Sequence, residues 1–303
     1  MDAPICEEHN LHRIRIIATD LDGTFLDTNH SISSTVIDAV HELESHASIP
    51  VYISTGRCRA SALSKFKEAG LDWSSRPGVF LNGAVVYGDD GNIIFEKRFD
   101  IEVLEAVASK FQGDLNRAVV MPCSGDTVHS PQLCALSMHL NEEYSDPLPV
   151  DHGSYEKMIE RFRVDNLSIH MISIATADCR ETEKIVVKRL KEVLSEYGDL
   201  ESFAIVTPIP RLVTVLPRNT SKGEGVVALC RWLSVDPLHA AAIGDSNNDI
   251  EMIRMVGVGV AVGNAKEDVK KHAKLIVNRN DDSELPGVAH LARLVLQSRI
   301  ARL

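Results

Sequence analysis

Short apolar runs alternate with amphipathic stretches at both ends of this chain, and this alternation restricts its fold more than any other feature. In the first part, residues 14–20, 49–55 and 78–86 are apolar runs that predict buried strands, and residues 32–45 and 60–69 have helical spacing. Continuous apolar strands that alternate with helices are typical of a parallel sheet covered on both faces. The sequence therefore predicts an α/β fold.

The last part of the chain repeats the alternation. Ser221, with Glu224 three residues later, forms a capping box that predicts a helix ending near Leu233. Further along, strands are predicted at 240–245, 256–262 and 275–278, with a helix at 250–255. Both ends of the chain are therefore expected to contribute to the parallel sheet.

Polar residues follow several of the predicted strands directly. Ligands of open parallel sheets bind at the carboxyl ends of the strands. Asp20, Thr55, Asn82 and Asp245 fall at such ends. We therefore expect the functional site to be built around these four residues.

The middle of the chain, residues 87–215, has a different pattern. It opens with a hairpin signal, includes a loop-rich stretch at 121–153, and continues with a strand at 168–175 and an amphipathic helix at 179–197. It carries a net charge of −9, out of −11 for the whole chain. We therefore predict two domains: a core formed by residues 1–86 and 216–303, and an inserted α/β domain formed by residues 87–215.

Composition argues against several classes of protein. A chain of net charge −11 lacks the general basic footprint of a nucleic-acid-binding protein. No apolar run approaches 18 residues, so we expect no membrane-spanning helix, and the N-terminal residues lack the apolar stretch of a secretory signal. The six cysteines are scattered without C-x-x-C spacing, which favours a reduced intracellular compartment.

The strongest chemical signal is DLDGT at 20–24, directly after a strand. Two carboxylates two residues apart on a tight turn can point at one centre, with Asp20 suited to be a nucleophile or metal ligand and Asp22 suited to proton transfer. Gly23 permits the turn, and the amides near Thr24 can face a phosphate. The alternative is an ordinary turn, because Asp and Gly are common in turns.

A second acidic signal is GDSNND at 244–249. Asp245 and Asp249 are spaced to bring carboxylate oxygens to the same strand end, and Mg²⁺ prefers such oxygen ligands. A helix N-terminus rich in Asp and Asn for capping is an equally good explanation of this segment taken alone.

Two weaker signals concern phosphate binding. In STGR at 54–57, a hydroxyl at a strand end followed by Gly and a helix start is a site for phosphate oxygens, although such a sequence is usually only a β–α turn. Lys222, in the first turn of a helix, could neutralise charge between carboxylates and phosphate, although a lysine there is normally solvated.

Taken in order, these signals resemble the haloacid dehalogenase superfamily of phosphohydrolases, and more closely its Cof-type branch. The resemblance rests on DLDGT, STGR, NGA at 82–84, SKG at 221–223, GDSNND and GVGVAVGNA at 257–265, and it covers residues 14–86 and 216–290. It implies a Rossmann-like doubly wound parallel sheet with an inserted α/β cap domain that selects the substrate. One departure is LPGVA at 285–289, which lacks the acid of the family's Asp-Gly-Val-Ala turn.

The resemblance also implies chemical roles. Asp20 would attack phosphorus to form an aspartyl-phosphate, and Asp22 would protonate the leaving group and later activate water. Thr55 and Lys222 would hold phosphate oxygens, with Lys222 also orienting Asp20. An acid at position 22 favours phosphate ester hydrolysis, because members of the superfamily that process carbon–halogen bonds or pump ions lack it.

The same resemblance implies a Mg²⁺ cofactor. Asp20, the backbone carbonyl of Asp22 and Asp245 would bind the ion, with Asp249 nearby or acting through water. The remaining matched positions would contact phosphate or substrate, and they are Gly23, Thr24, Gly56, Arg57, Asn82 and Asn248.

The leading hypothesis is thus a Mg²⁺-dependent phosphatase for a small phosphorylated metabolite such as a sugar phosphate. Two alternatives remain open: a phosphotransferase or mutase of the same fold, and a non-catalytic module that binds a phosphometabolite. The final Ala-Arg-Leu resembles a peroxisomal address, which would make an import receptor a partner and would place the protein in a peroxisome-like organelle rather than the cytoplasm. An ordinary helix end explains the tripeptide equally well.

Overall fold

A computed structural model describes residues 10–114, 117–144, 146–177, 179–207 and 211–302. It divides the chain into two compact units. Of the described residues, the first unit contains 10–57, 62–95 and 221–302, and the second contains 58–61 and those between 96 and 220. Among the described residues, no helix combines the length and the apolar character needed to span a membrane.

The strands of the described chain, in order, are β1 (Ile16–Thr19), β2 (Val51–Ser54), β3 (Gly78–Phe80), β4 (Val85–Tyr87), β5 (Ile93–Glu96), β6 (Ala118–Ser124), β7 (Thr127–Ser130), β8 (Val150–Asp151), β9 (Met171–Thr176), β10 (Ala204–Val206), β11 (Leu212–Leu216), β12 (Ala240–Gly244), β13 (Val258–Ala261) and β14 (Leu275–Ile276). The α-helices are α1 (Ser34–Ala47), α2 (Arg59–Glu68), α3 (Ile101–Phe111), α4 (Ala135–Tyr144), α5 (Tyr155–Val164), α6 (Cys179–Leu194), α7 (Lys222–Trp232), α8 (Ile250–Met255), α9 (Glu267–His272) and α10 (Gly287–Ile300).

The first unit is built on an eight-stranded sheet in the order β14-β13-β12-β1-β2-β3-β4-β5. Strand β1 pairs in parallel with both β2 and β12, and all four of its residues are buried. Ile16 and Ala18 pack into a core cluster with residues of α7 and α8, while Ile17 between them is equally buried, so both faces of the sheet are covered. The predicted α/β class with a parallel sheet is confirmed.

The prediction of a single strand over residues 78–86 is wrong in one respect. The chain reverses at Leu81–Gly83, so that β3 and β4 pair antiparallel. Leu81 and Asn82 both adopt left-handed backbone conformations, with φ of 50° and 54°. Asn82 and Gly83 form an Asn-Gly pair, which is a local turn signal, and the prediction of a single strand overlooked it because the flanking residues are apolar and buried.

The second unit is built on a six-stranded sheet in the order β10-β11-β9-β6-β7-β8. Strand β9 pairs antiparallel with β6 and β11, and α3, α5 and α6 contribute to the core that includes Leu104, Phe162 and Leu190. The stretch 121–153, expected to be loop-rich, instead contains most of β6 together with β7, α4 and β8. Gly125, Pro131, Pro147 and Pro149 lie in the connections between these elements, and the elements themselves are too short for a clear period.

The hairpin that begins the predicted insert belongs to the first sheet. Strands β4 and β5 extend that sheet at its edge, and the first unit continues to Phe95. The second unit then runs from Glu96 to Thr220. The assignment of residues 87–215 to a cap domain that selects substrate remains a proposal.

Candidate functional site

Strand register brings the predicted site residues of the first unit together. Thr19 at the end of β1 pairs with Ile53 of β2 and Ile243 of β12, so these three strands end at the same level. The residues that follow them are Asp20, Thr55 and Asp245, and the backbone N–H of Asp20 donates to the carbonyl of Ile243 at 2.9 Å. The carboxyl edge of the sheet therefore gathers carboxylates and a hydroxyl from distant parts of the chain.

Three carboxylates form the centre of the site. Asp20, Asp245 and Asp249 each offer an oxygen, and these oxygens all lie within 4.8 Å of one another. Asp20 and Asp249 are buried, and Asp245 is partly buried. Burial raises the pKa of Asp20 well above its ordinary value. The ammonium of Lys222 offsets only part of this rise, and the nearby charges of Asp249 and Asp245 raise the pKa further.

One lysine lies inside this cluster. The Nζ of Lys222 donates to Asp20 Oδ1 at 2.5 Å and to Asp249 Oδ1 at 2.7 Å, and its side chain is only 2% exposed. Burial acts to lower the pKa of Lys222, but the two carboxylates outweigh it and raise that pKa, so the side chain is charged. The solvated alternative for Lys222 is thereby excluded.

The start of α7 explains this position of the lysine. Ser221 caps the helix by accepting the backbone N–H of Glu224, as the capping pattern predicts. Lys222 is the first residue of the helix, which places its side chain at the carboxyl edge of the sheet.

The acidic cluster fits a divalent cation. Three carboxylates face a single ammonium, which leaves an excess of negative charge in a buried place, and buried charge is costly unless it is compensated. Hard oxygen donors are the ligands that Mg²⁺ and Ca²⁺ take. Burial and the Asp249 charge also raise the pKa of Asp245, which is the expected signature of a site short of positive charge.

Asp249 serves two structural purposes. Its Oδ2 accepts the backbone N–H groups of Asp245 and Ser246 at 3.0 and 2.9 Å, while its Oδ1 accepts from Lys222. Both explanations of GDSNND therefore apply, because Asp249 closes the capping turn and also belongs to the carboxylate cluster. With both oxygens engaged by N–H donors, Asp249 is the weakest of the three as a direct metal ligand.

Asp22 lies on the turn Leu21–Phe25 and is bound by Arg57. The Nε of Arg57 donates to Asp22 Oδ2 at 2.7 Å, and its Nη2 donates to Oδ1 at 2.8 Å. His30 approaches the same carboxylate, with Nδ1 at 3.5 Å from Oδ1. Burial acts to raise the pKa of Asp22, but the Arg57 hydrogen bonds and charge, together with the charge of His30, lower it below its ordinary value.

The turn around Asp22 requires glycine at position 23. Gly23 has φ of 77°, and a Cβ there would lie 2.7 Å from an oxygen of Asp245. The hydroxyl of Thr24 lies 3.5 Å from Asp245 Oδ1, and the predicted contact of Thr24 with substrate stays a prediction. These contacts hold the DLDGT turn against the GDSNND turn.

The remaining predicted residues form an uncharged side of the site. Thr55 is buried, and its Oγ1 accepts the backbone N–H of Arg57. The side-chain amide of Asn248 donates to Asn82 Oδ1 at 2.9 Å. A Cβ on Gly56 would lie 3.1 Å from the Asn82 amide, so the glycine makes room for that side chain.

Sequence reasoning missed three neighbours of the site. His30 contacts Asp22, Ser246 donates to Asp245 at 3.2 Å, and Asn264 donates to the carbonyl of Gly23 at 2.8 Å. Ser246 and Asn264 lie inside the quoted motifs GDSNND and GVGVAVGNA, so their positions carried a usable signal. His30 lies outside every motif.

Comparison with known proteins identifies the family of this chain. A sequence model described as haloacid dehalogenase-like hydrolase matches residues 17–291. The phosphatase YwpJ of Bacillus subtilis is 25% identical over 93% of this chain and 100% of its own length. The 5-amino-6-(5-phospho-D-ribitylamino)uracil phosphatase YwtE of the same organism is 24% identical over 95% of this chain and all of its own.

Solved structures agree on the fold. The structure of BT4131, described as a subclass IIB sugar phosphatase of the haloacid dehalogenase superfamily, superposes with a TM-score of 0.68 at 22% identity. That match covers 91% of this chain and 96% of BT4131.

Proposed function

This chain belongs to the haloacid dehalogenase-like hydrolases, in the Cof-type branch, and is a hydrolase of phosphoric monoesters; from this premise we propose that it is a Mg²⁺-dependent phosphatase working through an aspartyl-phosphate. The observation that carries the proposal is the buried Lys222 ammonium between the carboxylates of Asp20 and Asp249. A purely structural helix start has no need of a charged lysine buried among carboxylates, which is costly to desolvate.

The residues that would hold Mg²⁺ are Asp20 and Asp245, with the backbone carbonyl of Asp22 completing the protein ligands and Asp249 supporting them. When bound, the ion would supply positive charge beside the phosphate oxygens. The donor set supports this assignment because it is all oxygen and short of positive charge.

In the first step, a carboxylate oxygen of Asp20 would attack the phosphorus of the monoester. A new O–P bond forms while the bond from phosphorus to the substrate oxygen breaks, and the leaving oxygen takes a proton from Asp22. In the second step, Asp22 would accept a proton from water as that water attacks phosphorus, which releases inorganic phosphate and restores Asp20.

Arg57 gives this scheme a specific requirement. In this structure the guanidinium binds Asp22 through two hydrogen bonds and lowers its pKa, which keeps the carboxylate ionised. An ionised Asp22 is ready for the second step, where it accepts a proton. For the first step it must be protonated, so Arg57 has to be drawn toward another anion, and the substrate phosphate is the anion available.

Thr55, Lys222 and the amides of the DLDGT turn would bind the phosphate oxygens, with Gly56, Asn82 and Asn248 shaping the uncharged side. We propose a small phosphorylated metabolite of the sugar-phosphate type as substrate. Support comes from the names of two relatives, a phosphatase of a phosphoribityl compound and a sugar phosphatase. The second unit, as a cap domain, would provide the specificity.

The test is phosphate release from a panel of sugar phosphates, nucleotides and pyridoxal phosphate, measured with Mg²⁺ and with EDTA. We expect turnover that needs Mg²⁺ and is lost in Asp20→Asn. The matched control is Asp268→Asn, which removes a carboxylate that pairs with Lys271 on the surface. A folded protein that binds Mg²⁺ but releases no phosphate from any substrate would contradict the phosphatase proposal.

Two further readouts separate the alternatives. Asp22→Asn should slow both steps for an alkyl phosphate. With an aryl phosphate, whose leaving oxygen needs no proton, only the second step should be slowed, and mass spectrometry of the protein should find one phosphoryl group on Asp20. A mutase would instead return the phosphate on a second hydroxyl of the product, which product analysis detects. A binding module would retain the sugar phosphate unchanged.

A further inference from the structure

The second unit contains a cleft that shares no residue with the carboxylate site. It has a volume of about 620 Å³ and lies between α6 and the segment around β10. Leu200 before β10 and Thr207 after it both line the cleft, so it extends along that strand. It is wide and open to solvent, and its lysines, Glu192, Ser195 and Thr207 are exposed, so a ligand would lie along the surface rather than in an enclosed pocket.

One wall of the cleft is a row of lysines on α6. Lys184, Lys188 and Lys191 line it and are spaced four and three residues apart, which places them on one face of the helix. At 1.5 Å per residue, the row extends about 10 Å along the helix axis. A ligand that contacts all three must therefore carry negative charge over a comparable length.

The protein compensates the charge of these lysines only in part. None of them forms an ion pair with a side chain that the structure describes. The carboxylate that lines the cleft with them is Glu192, and Lys110 of α3 already binds it at 2.9 Å. Lys110 binds Glu192 and lowers the pKa of its carboxyl, and the charge of Lys188, four residues before Glu192, adds to this effect. Lys184 and Lys191 lie four and three residues from Lys188, and like charges at these spacings repel one another on a helix.

The charge of the row contrasts with the rest of the chain. The protein has 43 acidic and 32 basic residues, and residues 87–215 are the most acidic part. Three lysines with a single carboxylate among the lining residues are therefore a local feature of the cleft. It favours an anionic ligand over a cation or a neutral sugar.

The base of the cleft is apolar. Val187, on the same face of α6 as the lysines, and Leu200 on the opposite side both pack partly buried against the core of the second unit. Inorganic phosphate or a bare polyphosphate would leave this surface uncovered. A flat aromatic group joined to a chain of phosphates would use both the lysine row and the apolar base.

We propose that this cleft is a second ligand site, which binds a nucleoside polyphosphate with its phosphates along Lys184, Lys188 and Lys191 and its base against Val187 and Leu200. The phosphate chain and the row of lysines match in charge and in extent. The site is separate from the proposed hydrolysis, since every residue in it belongs to the second unit.

The experiment is calorimetric titration of the full chain with ATP in EDTA, compared with tripolyphosphate and inorganic phosphate. The test variant is Lys184→Gln/Lys188→Gln/Lys191→Gln. The control is Lys67→Gln/Lys157→Gln/Lys271→Gln, which removes the same charge from exposed lysines outside the cleft. We expect ATP to bind the wild type and control alike and the test variant at least about tenfold more weakly, with tripolyphosphate weaker than ATP.

Hydrogen exchange locates the ligand without relying on any variant. ATP should slow exchange in peptides covering residues 184–195 and 200–207 of the wild type, and this remains decisive if the triple variant fails to fold. The proposal is overturned by an absence of ATP binding, by equal weakening in the control variant, or by protection confined to residues 20–24 and 54–57.

Discussion

The guanidinium of Arg57 binds both oxygens of the Asp22 carboxylate, at 2.7 and 2.8 Å. This pair joins the loop after β2 to the turn after β1. Its geometry is the bidentate arrangement that only arginine can form with a carboxylate. A residue expected to contact substrate thus also orients the residue expected to transfer protons.

Replacing Arg57 with lysine should therefore impair catalysis more than folding. Lysine keeps the charge but loses the two parallel hydrogen bonds, so Asp22 is no longer held in one orientation. We expect kcat/KM for the best substrate to fall by about tenfold or more. The control is Arg254→Lys on α8, and equal kcat/KM for wild type and Arg57→Lys would exclude a positioning role.

Replacing Lys222 with alanine should both destabilise the first unit and abolish turnover. The change leaves the buried Asp20 and Asp249 carboxylates without their ammonium, and breaking a buried pair in this way costs about 3–5 kcal/mol. Urea unfolding measures the loss.

The control for that experiment is Lys270→Ala, which removes a lysine paired with the exposed Glu267. Exposed pairs on a helix contribute about 0.3–0.5 kcal/mol. Similar losses in both variants would show that the Lys222 contacts are no stronger than a surface pair.

Gly83 should not tolerate alanine. Its φ is 91°, and a Cβ would lie 1.9 Å from the backbone carbonyl oxygen of Ser221, which is the capping residue of α7. Left-handed strain alone costs about 1–3 kcal/mol, and displacing α7 would also move Lys222. We expect a loss of stability of at least this size in thermal unfolding, together with reduced turnover.

Gly113→Ala is the matched substitution, because no atom lies within 4 Å of a Cβ there and its φ is not positive. It should change stability by less than about 1 kcal/mol. If Gly83→Ala were equally mild, the close approach of the Leu81–Gly83 turn to α7 would not constrain the fold.

The second unit should lose stability as the pH falls from about 6.5 to about 4. Burial, with the nearby His152 and Arg161, lowers the pKa of His129 from 6.5 to about 4. The unfolded chain then takes up a proton in this range that the folded chain does not, so stability falls with falling pH and levels off below about 4. A shift of this size corresponds to about 3 kcal/mol.

Urea unfolding at pH 7.5 and pH 5 measures this dependence. In His129→Gln the free energy of unfolding should depend less steeply on pH, because the titration of His129, the largest contribution, is removed. His152, whose ring nitrogen lies 2.9 Å from that of His129 and whose pKa is also lowered by burial, contributes with the same sign and remains in that variant. An unchanged slope in His129→Gln would contradict the assignment.

Local sequence patterns were sufficient for the parallel sheet and for the ends of its strands. Apolar runs such as 14–20 predict burial on both faces, and a polar residue directly after a run marks the carboxyl end of a strand. Asp20, Thr55 and Asp245 could be placed at one edge for this reason, because parallel strands share an edge. The capping of α7 by Ser221 was also predictable, since it depends on residues three apart.

The local patterns do not show which residues far apart in the chain contact one another. The turn at Leu81–Gly83 is a different case, because its Asn-Gly pair is a local signal that the single-strand prediction overlooked. The short elements within 121–153 are stabilised by pairing with other strands of their sheet, not by a period of their own.

The sequence by itself thus determined the α/β class and the residues at the strand ends, because hydrophobic periodicity and capping act between near neighbours. Only the tertiary structure decided that Lys222 is buried between Asp20 and Asp249 and that Arg57 binds Asp22. Those contacts join residues that are far apart in the chain. Whether a charged side chain is solvated or buried depends on the partners that folding brings to it, and no local pattern encodes them.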